Sequence, residues 1–144
     1  MRSSIVLGYD GSQGAQAALE RTIELAKQLD AKVIAVFGYE IPAAYGGETG
    51  DYRRVVRSIA EEAAADAVER MRDSGIEFET ELVPKRPAEG LVSVAETHGA
   101  AMIVVGSHGE HPLTGAILGS VPHKLLHIST VPVLVVPSAH HRHG

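Results

Sequence analysis

The chain has 144 residues and no cysteine, with 13 Lys and Arg against 18 Asp and Glu, a formal net charge of −5. That length suits one domain able to bury a real core, and the lack of cysteine excludes a disulfide framework and thiolate chemistry. The acidic balance argues against nucleic acid as the main partner, and no apolar run approaches the ~20 residues of a membrane span, so neither nucleic acid nor membrane is expected.

Ser4–Tyr9 (SIVLGY) reads as a short apolar strand, and Asp10-Gly-Ser follows as a turn. Asp10 interrupts the opening apolar stretch, so no signal peptide is visible and a cytoplasmic location is expected. Over Gly14–Leu29, Ala15, Ala18, Leu19, Ile23, Ala26 and Leu29 recur at helical spacing. Lys32–Tyr39 (KVIAVFGY) is a second β run, and Ile41–Gly50 is loop-like, with Pro42, Gly46 and Gly47. The pattern predicts the longest helix over Asp51–Ser74, with Val56, Ile59, Ala63, Ala67 and Met71 on one face and Gly75 as its stop. Ile76–Val83 alternates apolar and polar residues, as a half-buried or edge strand does. Pro87–His98 reads as a helix with Leu91, Val94 and Ala95 inward and Gly99 as its stop. Ala101–Val105 is uninterrupted and apolar, as a central parallel strand should be. A glycine loop, a helix from Ser120 to Ile128 and a strand over Val131–Val136 complete a single domain over 1–137; the His-rich tail, 138–144, is expected to be disordered.

Strands alternating with crossover-length helices predict an α/β fold: a five-stranded parallel sheet with right-handed connections and helices on both faces. Ligands bind such sheets beyond the carboxyl ends of the strands, where the strand order reverses. Gly8–Ser12 and Gly106–Gly119 leave the two most apolar inner strands, and they border one crevice if the first and fourth strands are neighbours.

The second of these loops is the most informative segment. It carries the spacing Gly106-x2-Gly109-x9-Gly119-Ser120 between a strand and a helix. Glycine lets a ligand approach the backbone and lets several N–H groups converge on an anion, and a helix start adds unpaired N–H groups. The prediction is a nucleotide crevice in which main-chain amides hold phosphate. Ser120 either caps the helix or gives its hydroxyl to phosphate. Asp10 shapes a turn, faces a ribose hydroxyl, or holds Mg²⁺ or Mn²⁺ against phosphate. His108 and His111 lie within the loop, and Lys124 either reaches a phosphate or faces water. His123 and His127 have the spacing of a metal pair but lack a third ligand, and His140, His141 and His143 belong to the tail. One of Tyr39, Tyr45 and Tyr52 either stacks on a base or packs beside the Ile41–Gly50 loop. The Gly-x4-Gly-Lys-Ser/Thr signature is absent, and no catalytic residue is assigned, so binding is favoured over phosphoryl transfer.

From Ser4 to Pro137 the chain resembles the universal stress protein family. The likeness rests on the first strand followed by Asp10-Gly-Ser, on VVGSHG, on PVLVVP, and on the glycine spacing, which resembles that of the ATP-binding branch. It implies a flavodoxin-like or adenine-nucleotide-hydrolase-like sheet of order 3-2-1-4-5. It also implies ATP, AMP or cyclic AMP as ligand and a nucleotide-dependent role in stress response with at most slow hydrolysis. By resemblance, Gly8, Tyr9 and Asp10 line the adenosine side and the Gly38 backbone meets adenine. Val105, Gly106, His108 and Gly109 line the ribose and phosphate path, and Gly119, Ser120 and Val121 bind phosphates. A homodimer through the last strand is implied too, and the uncharged Val131–Val136 edge independently favours self-pairing. Three departures stand out: Gly14 replaces a residue that is frequently larger, Pro84-Lys-Arg-Pro87 replaces a glycine-containing turn, and Pro122 removes an N–H from the first turn of the last helix.

Overall fold

A computed structural model describes residues 3–39, 50–107 and 119–138, with 50–53 described by backbone alone. The elements run β1 (Ser4–Gly8), α1 (Gln13–Leu29), β2 (Lys32–Gly38), α2 (Gly50–Arg72), β3 (Phe78–Val83), α3 (Pro87–His98), β4 (Met102–Gly106), α4 (Ser120–Ile128) and β5 (Val133–Val136). All ladders are parallel, in the order β3-β2-β1-β4-β5. Val6 at the centre of β1 lies opposite Ile34 of β2 and Ile103 of β4. The chain therefore winds outward to β3, crosses back, and winds outward again to β5. The reversal sits between β1 and β4, whose carboxyl ends are neighbours.

The strand pleat sorts the core into two layers. Ile5, Leu7, Val33, Ala35, Phe37 and Val104 pack with α1 and α2, while Val6, Ile34, Val36, Ile103 and Val105 pack with α3 and α4. Burial on both faces is why β1, β2 and β4 read as unbroken apolar runs.

The helices close on the sheet by small residues. Gly14, Ala15, Ala18, Leu19, Thr22 and Ala26 form the buried stripe of α1, and Leu29, expected inward, is exposed in the last turn. In α2 the buried line is Ala60, Ala64, Ala67 and Met71; Ile59, expected on it, is 62% exposed. Alanines let α2 approach Phe37 and Tyr9 closely, and a branched side chain at that contact would hold the helix off. The α2 helix ends at Arg72, where the Ser74 hydroxyl donates to the Met71 carbonyl at 2.6 Å, so Gly75 lies past the stop.

The last strand begins at Val133, two residues later than its pattern suggests. Pro132 thus stands outside the strand and does not blunt its edge; its carbonyl accepts the Ile103 N–H at 2.9 Å. Ser138 is buried, and the rest of the tail lies outside the described residues.

Candidate functional site

A cleft of about 130 Å³ opens where the strand order reverses. Strand ends form its floor: Gly8 and Tyr9 from β1 and just beyond it, Val36 and Gly38 from β2, and Val105 and Gly106 from β4. Pro87 and Leu91 of α3 and Ser120, Val121 and Pro122 of α4 form the walls, with Asp10, Ser12 and Ala15 at the rim. The structure so brings together Gly8, Tyr9, Asp10, Gly38, Val105, Gly106, Ser120 and Val121. His108 and Gly109 lie outside the described residues, as do His111, Tyr45, Gly46 and Gly47. Val36, Pro87 and Leu91 were missed as lining residues, although the helical period had already turned Leu91 inward.

Two of the glycines serve packing between elements. A Cβ on Gly106 would lie 2.5 Å from the carbonyl carbon and oxygen of Gly14. The start of α1 therefore rests directly on the end of β4, so packing also requires a glycine at position 106, which lines the cleft. A Cβ on Gly38 would lie 2.7 Å from the Pro87 Cα and 3.2 Å from the Lys85 carbonyl, so the start of α3 sits against β2 in the same way.

At α4 the capping residue is Gly119, and Ser120 is already the first helical residue, so the Ser120 hydroxyl is not the cap. The Gly119 N–H donates to the Ser107 carbonyl at 2.8 Å, tying the two ends of the glycine loop together. That amide is spent on the fold, a correction to its expected phosphate role. Pro122 has no N–H. Ser120 and Val121 remain as amides with no intrahelical acceptor.

The Asp10 Oδ1 accepts the Ser12 N–H at 3.0 Å, with Gly11 at φ 82, so the turn-shaping role is filled. The Ser12 Oγ accepts the Ala15 N–H at 3.1 Å and caps α1.

Tyr9 borders the cleft but its ring belongs to the core. It meets Phe37 edge-on at 6.1 Å, and its hydroxyl donates to Asp66 of α2. Arg70 Nε reaches the same Asp66 oxygen at 3.0 Å. Burial, with the Asp66 hydrogen bond and charge, pushes the Tyr9 phenol far above its ordinary value; the Tyr9 hydrogen bond holds the Asp66 carboxyl below its own. Asp66→Ala is expected to destabilise the fold by about 1–3 kcal/mol in denaturant titration, because it leaves the buried Tyr9 hydroxyl without an acceptor. Adding Tyr9→Phe should recover part of that loss; if the two losses instead add, the pair does not interact. Because the Asp66 pKa is depressed on folding, its contribution is present above the ordinary carboxylate value near 3.8 and is lost as pH falls through the folded value. Asp66 is 40% exposed, so solvent keeps that share small.

A second cavity of about 220 Å³ lies on the other side of the sheet end, between Phe37, Tyr39 and the Val56, Ile59, Ala60 and Ala63 positions of α2. Tyr39 lines this cavity and not the cleft, and its hydroxyl accepts from Arg57 at 3.0 Å. Lys124 is exposed and is not among the cleft residues. His123 and His127 face each other edge-on at 5.0 Å. Among the described residues, one trio with metal-ligand chemistry converges, Glu79, Glu81 and His98, within 4.8 Å of one another. None of the three lines the cleft. Lys32 already meets Glu79 at 2.7 Å, and His98 meets Glu81 at 2.8 Å.

A parallel α/β sheet with a crevice at its switch point defines the class: a doubly wound domain, a fold whose ligands generally bind beyond the strand ends. The profile of the universal stress protein family matches residues 1–137, and the chain belongs to that family. It is 31% identical over 147 residues to universal stress protein YxiE of Bacillus subtilis, covering 94% of this chain and 99% of that one. Its fold matches the solved structure of hypothetical protein MJ0577 with a TM-score of 0.83 at 26% identity, over 95% of this chain and 96% of that one. A universal stress protein solved in complex with cAMP matches with a TM-score of 0.73 at 26% identity, over 95% and 98% of the two chains. Among the described residues, no helix is long and apolar enough to cross a membrane.

Proposed function

We propose that this protein binds an adenine nucleotide in the cleft between β1 and β4 and acts as a nucleotide-dependent regulator in stress adaptation, with at most slow hydrolysis. One observation carries the reading. The cleft runs from an apolar slot at Val36, Pro87 and Leu91 to the first turn of α4 at Ser120 and Val121. A flat base suits the slot, and phosphate suits the amides at the helix start. The cAMP complex of a relative with the same fold supports it. A divalent ion accompanying ATP would use Asp10, since Mg²⁺ needs only one or two carboxylates besides phosphate and water. Turnover has little support: Asp10 is the only carboxylate among the described lining residues, and no Lys or Arg stands there to stabilise a transferred phosphoryl group. Adenine nucleotides are abundant in the cytoplasm, where we place the protein.

Calorimetry with ATP, AMP and cAMP tests the reading. The expected result is saturable binding of at least one of them, abolished by Gly8→Val. A Cβ on Gly8 would come within 2.9 Å of Leu91 Cδ1 and 3.1 Å of Val105 Cγ1, so the valine fills the cleft floor against movable side chains. No binding of any of the three at millimolar concentration would sink it.

A second copy of the chain is the proposed partner. The β5 edge, Val133–Val136, has no charged side chain and leaves Leu134 37% exposed, whereas the β3 edge carries Glu79 and Glu81. Charged edges resist strand addition and uncharged ones invite it. Leu134→Lys is expected to convert dimer to monomer in sedimentation velocity with nucleotide affinity unchanged. A dimer that survives the substitution would put the contact elsewhere.

A further inference from the structure

The side chains of α4 divide by helical position. Pro122 and Leu125 are buried, while His123, Lys124, Leu126 and His127 are exposed. Residues four apart on a helix are neighbours on one face. His123 and His127 meet this way, with ring centres 5.0 Å apart and ring planes at 63°. The centres of two imidazoles bound to one tetrahedral ion at ~2.0–2.1 Å per nitrogen stand about 5 Å apart, so the pair already has the separation of a chelate. Among the described residues neither ring is paired with a carboxylate, whereas His98 meets Glu81 at 2.8 Å.

The chemistry of the donors selects the ion. Neutral imidazole suits Zn²⁺, Ni²⁺ and Cu²⁺, and Mg²⁺ prefers oxygen ligands. Two imidazoles fixed on one backbone act together, because an ion held by the first ring meets the second at high effective concentration. The trio of Glu79, Glu81 and His98 offers more ligand atoms, but an ion there must displace the Lys32 ammonium from Glu79 and break the His98–Glu81 contact. No such partner has to leave the α4 pair.

We propose that His123 and His127 chelate a divalent transition-metal ion, Zn²⁺, Ni²⁺ or Cu²⁺, on the exposed face of α4, with water in the remaining positions. The proposal does not depend on the adenine-nucleotide reading. Its structural consequence follows from the helix itself. α4 has nine residues and its glycine cap makes no side-chain hydrogen bond, and isolated helices that short are marginal in water. An ion across positions 123 and 127 holds one turn closed. The pair is assembled only in the helix, so the ion adds to the stability of the folded chain by mass action. The same helix gives Ser120, Val121 and Pro122 to the cleft wall.

The tail also carries imidazoles, at His140, His141 and His143, so the test uses the full-length chain with those three changed to Gln. Zn²⁺, Ni²⁺ and Cu²⁺ are titrated by calorimetry, with Mg²⁺ as the control, and the urea midpoint is read with and without each ion. The expected result is saturable binding of at least one of the three transition ions, none of Mg²⁺, and a midpoint that rises with the bound ion. His123→Gln and His127→Gln should each weaken binding at least about tenfold, the least that losing even an outer-shell partner costs a metal site, and should remove the midpoint rise. Both positions are exposed, so the metal-free midpoint should stay unchanged. Adding Lys124→His to His127→Gln restores the number of histidines but sets the second ring one residue from His123, on a different face, and should not restore binding. No affinity for any of the three ions, or unchanged affinity in both single variants, overturns the proposal. Rescue by Lys124→His overturns it too, because the count of histidines and not the helical pair would then hold the ion.

Discussion

Gly106→Val is expected to destabilise the protein by about 3 kcal/mol or more with no nucleotide present, at the upper end of what overpacking costs. The reason is the contact partner. The added Cβ meets backbone, the Gly14 carbonyl group 2.5 Å away, and that backbone belongs to the first turn of α1. Relief requires lifting α1 from β4, which would also break the packing of Ala15, Ala18 and Leu19 in the sheet layer below. The chain would lose a large part of the roughly 5–15 kcal/mol that holds a domain folded. The measurement is a urea midpoint for the apo protein. If the variant is as stable as wild type and loses only nucleotide affinity, Gly106 serves the ligand and not the fold.

Phe37→Ala should cost about 3–5 kcal/mol, as truncation of a fully buried phenylalanine usually does. Phe37 is 2% exposed at the carboxyl end of β2. Its ring supports Tyr9 edge-on, and Tyr9 in turn holds Asp66 of α2. Losing the ring opens a cavity below the brace that ties the end of β1 to α2. Nucleotide affinity should fall along with stability, because Tyr9 leads into Asp10 at the cleft rim. Denaturant titration reads the first effect. Calorimetry well below the midpoint, where the variant is still folded, reads the second. A loss under about 1 kcal/mol would mean that the neighbours collapse into the space.

These two changes frame the proposed binding function. The cleft is made of places where secondary elements touch backbone to backbone, at Gly106 with Gly14 and at Gly38 with Pro87. Its shape is therefore coupled to global stability. The nucleotide is expected to add stability in proportion to its occupancy, by mass action.

Much of the architecture was legible in the residues. Apolar runs of four to seven residues, helical stripes between them and the stop at Gly99 locate the elements to within a few positions. Local periodicity and turn chemistry are short-range properties, so a single chain displays them. The position of the cleft was legible through the family resemblance, which implied the strand order 3-2-1-4-5 and so placed the first and fourth strands side by side.

The misreadings are all of the other kind. Ile59 fits the helical stripe of α2 as well as Ala60 does, but only the approach to Phe37 and Tyr9 decides that alanines face inward. Tyr9 does line the cleft, as its place after β1 suggests, but its hydroxyl is committed to Asp66, 57 residues away. Gly119 looks like a phosphate amide, yet its N–H closes the loop onto Ser107. The sequence by itself determined which segments are strands and helices and in what order they come, because those follow from neighbours along the chain; that β1 lies beside β4 and so forms the crevice is a property of the fold. Only the tertiary structure decided which face of each element is buried and which polar groups remain free for a ligand, because each such group is claimed by a partner that folding alone brings within reach.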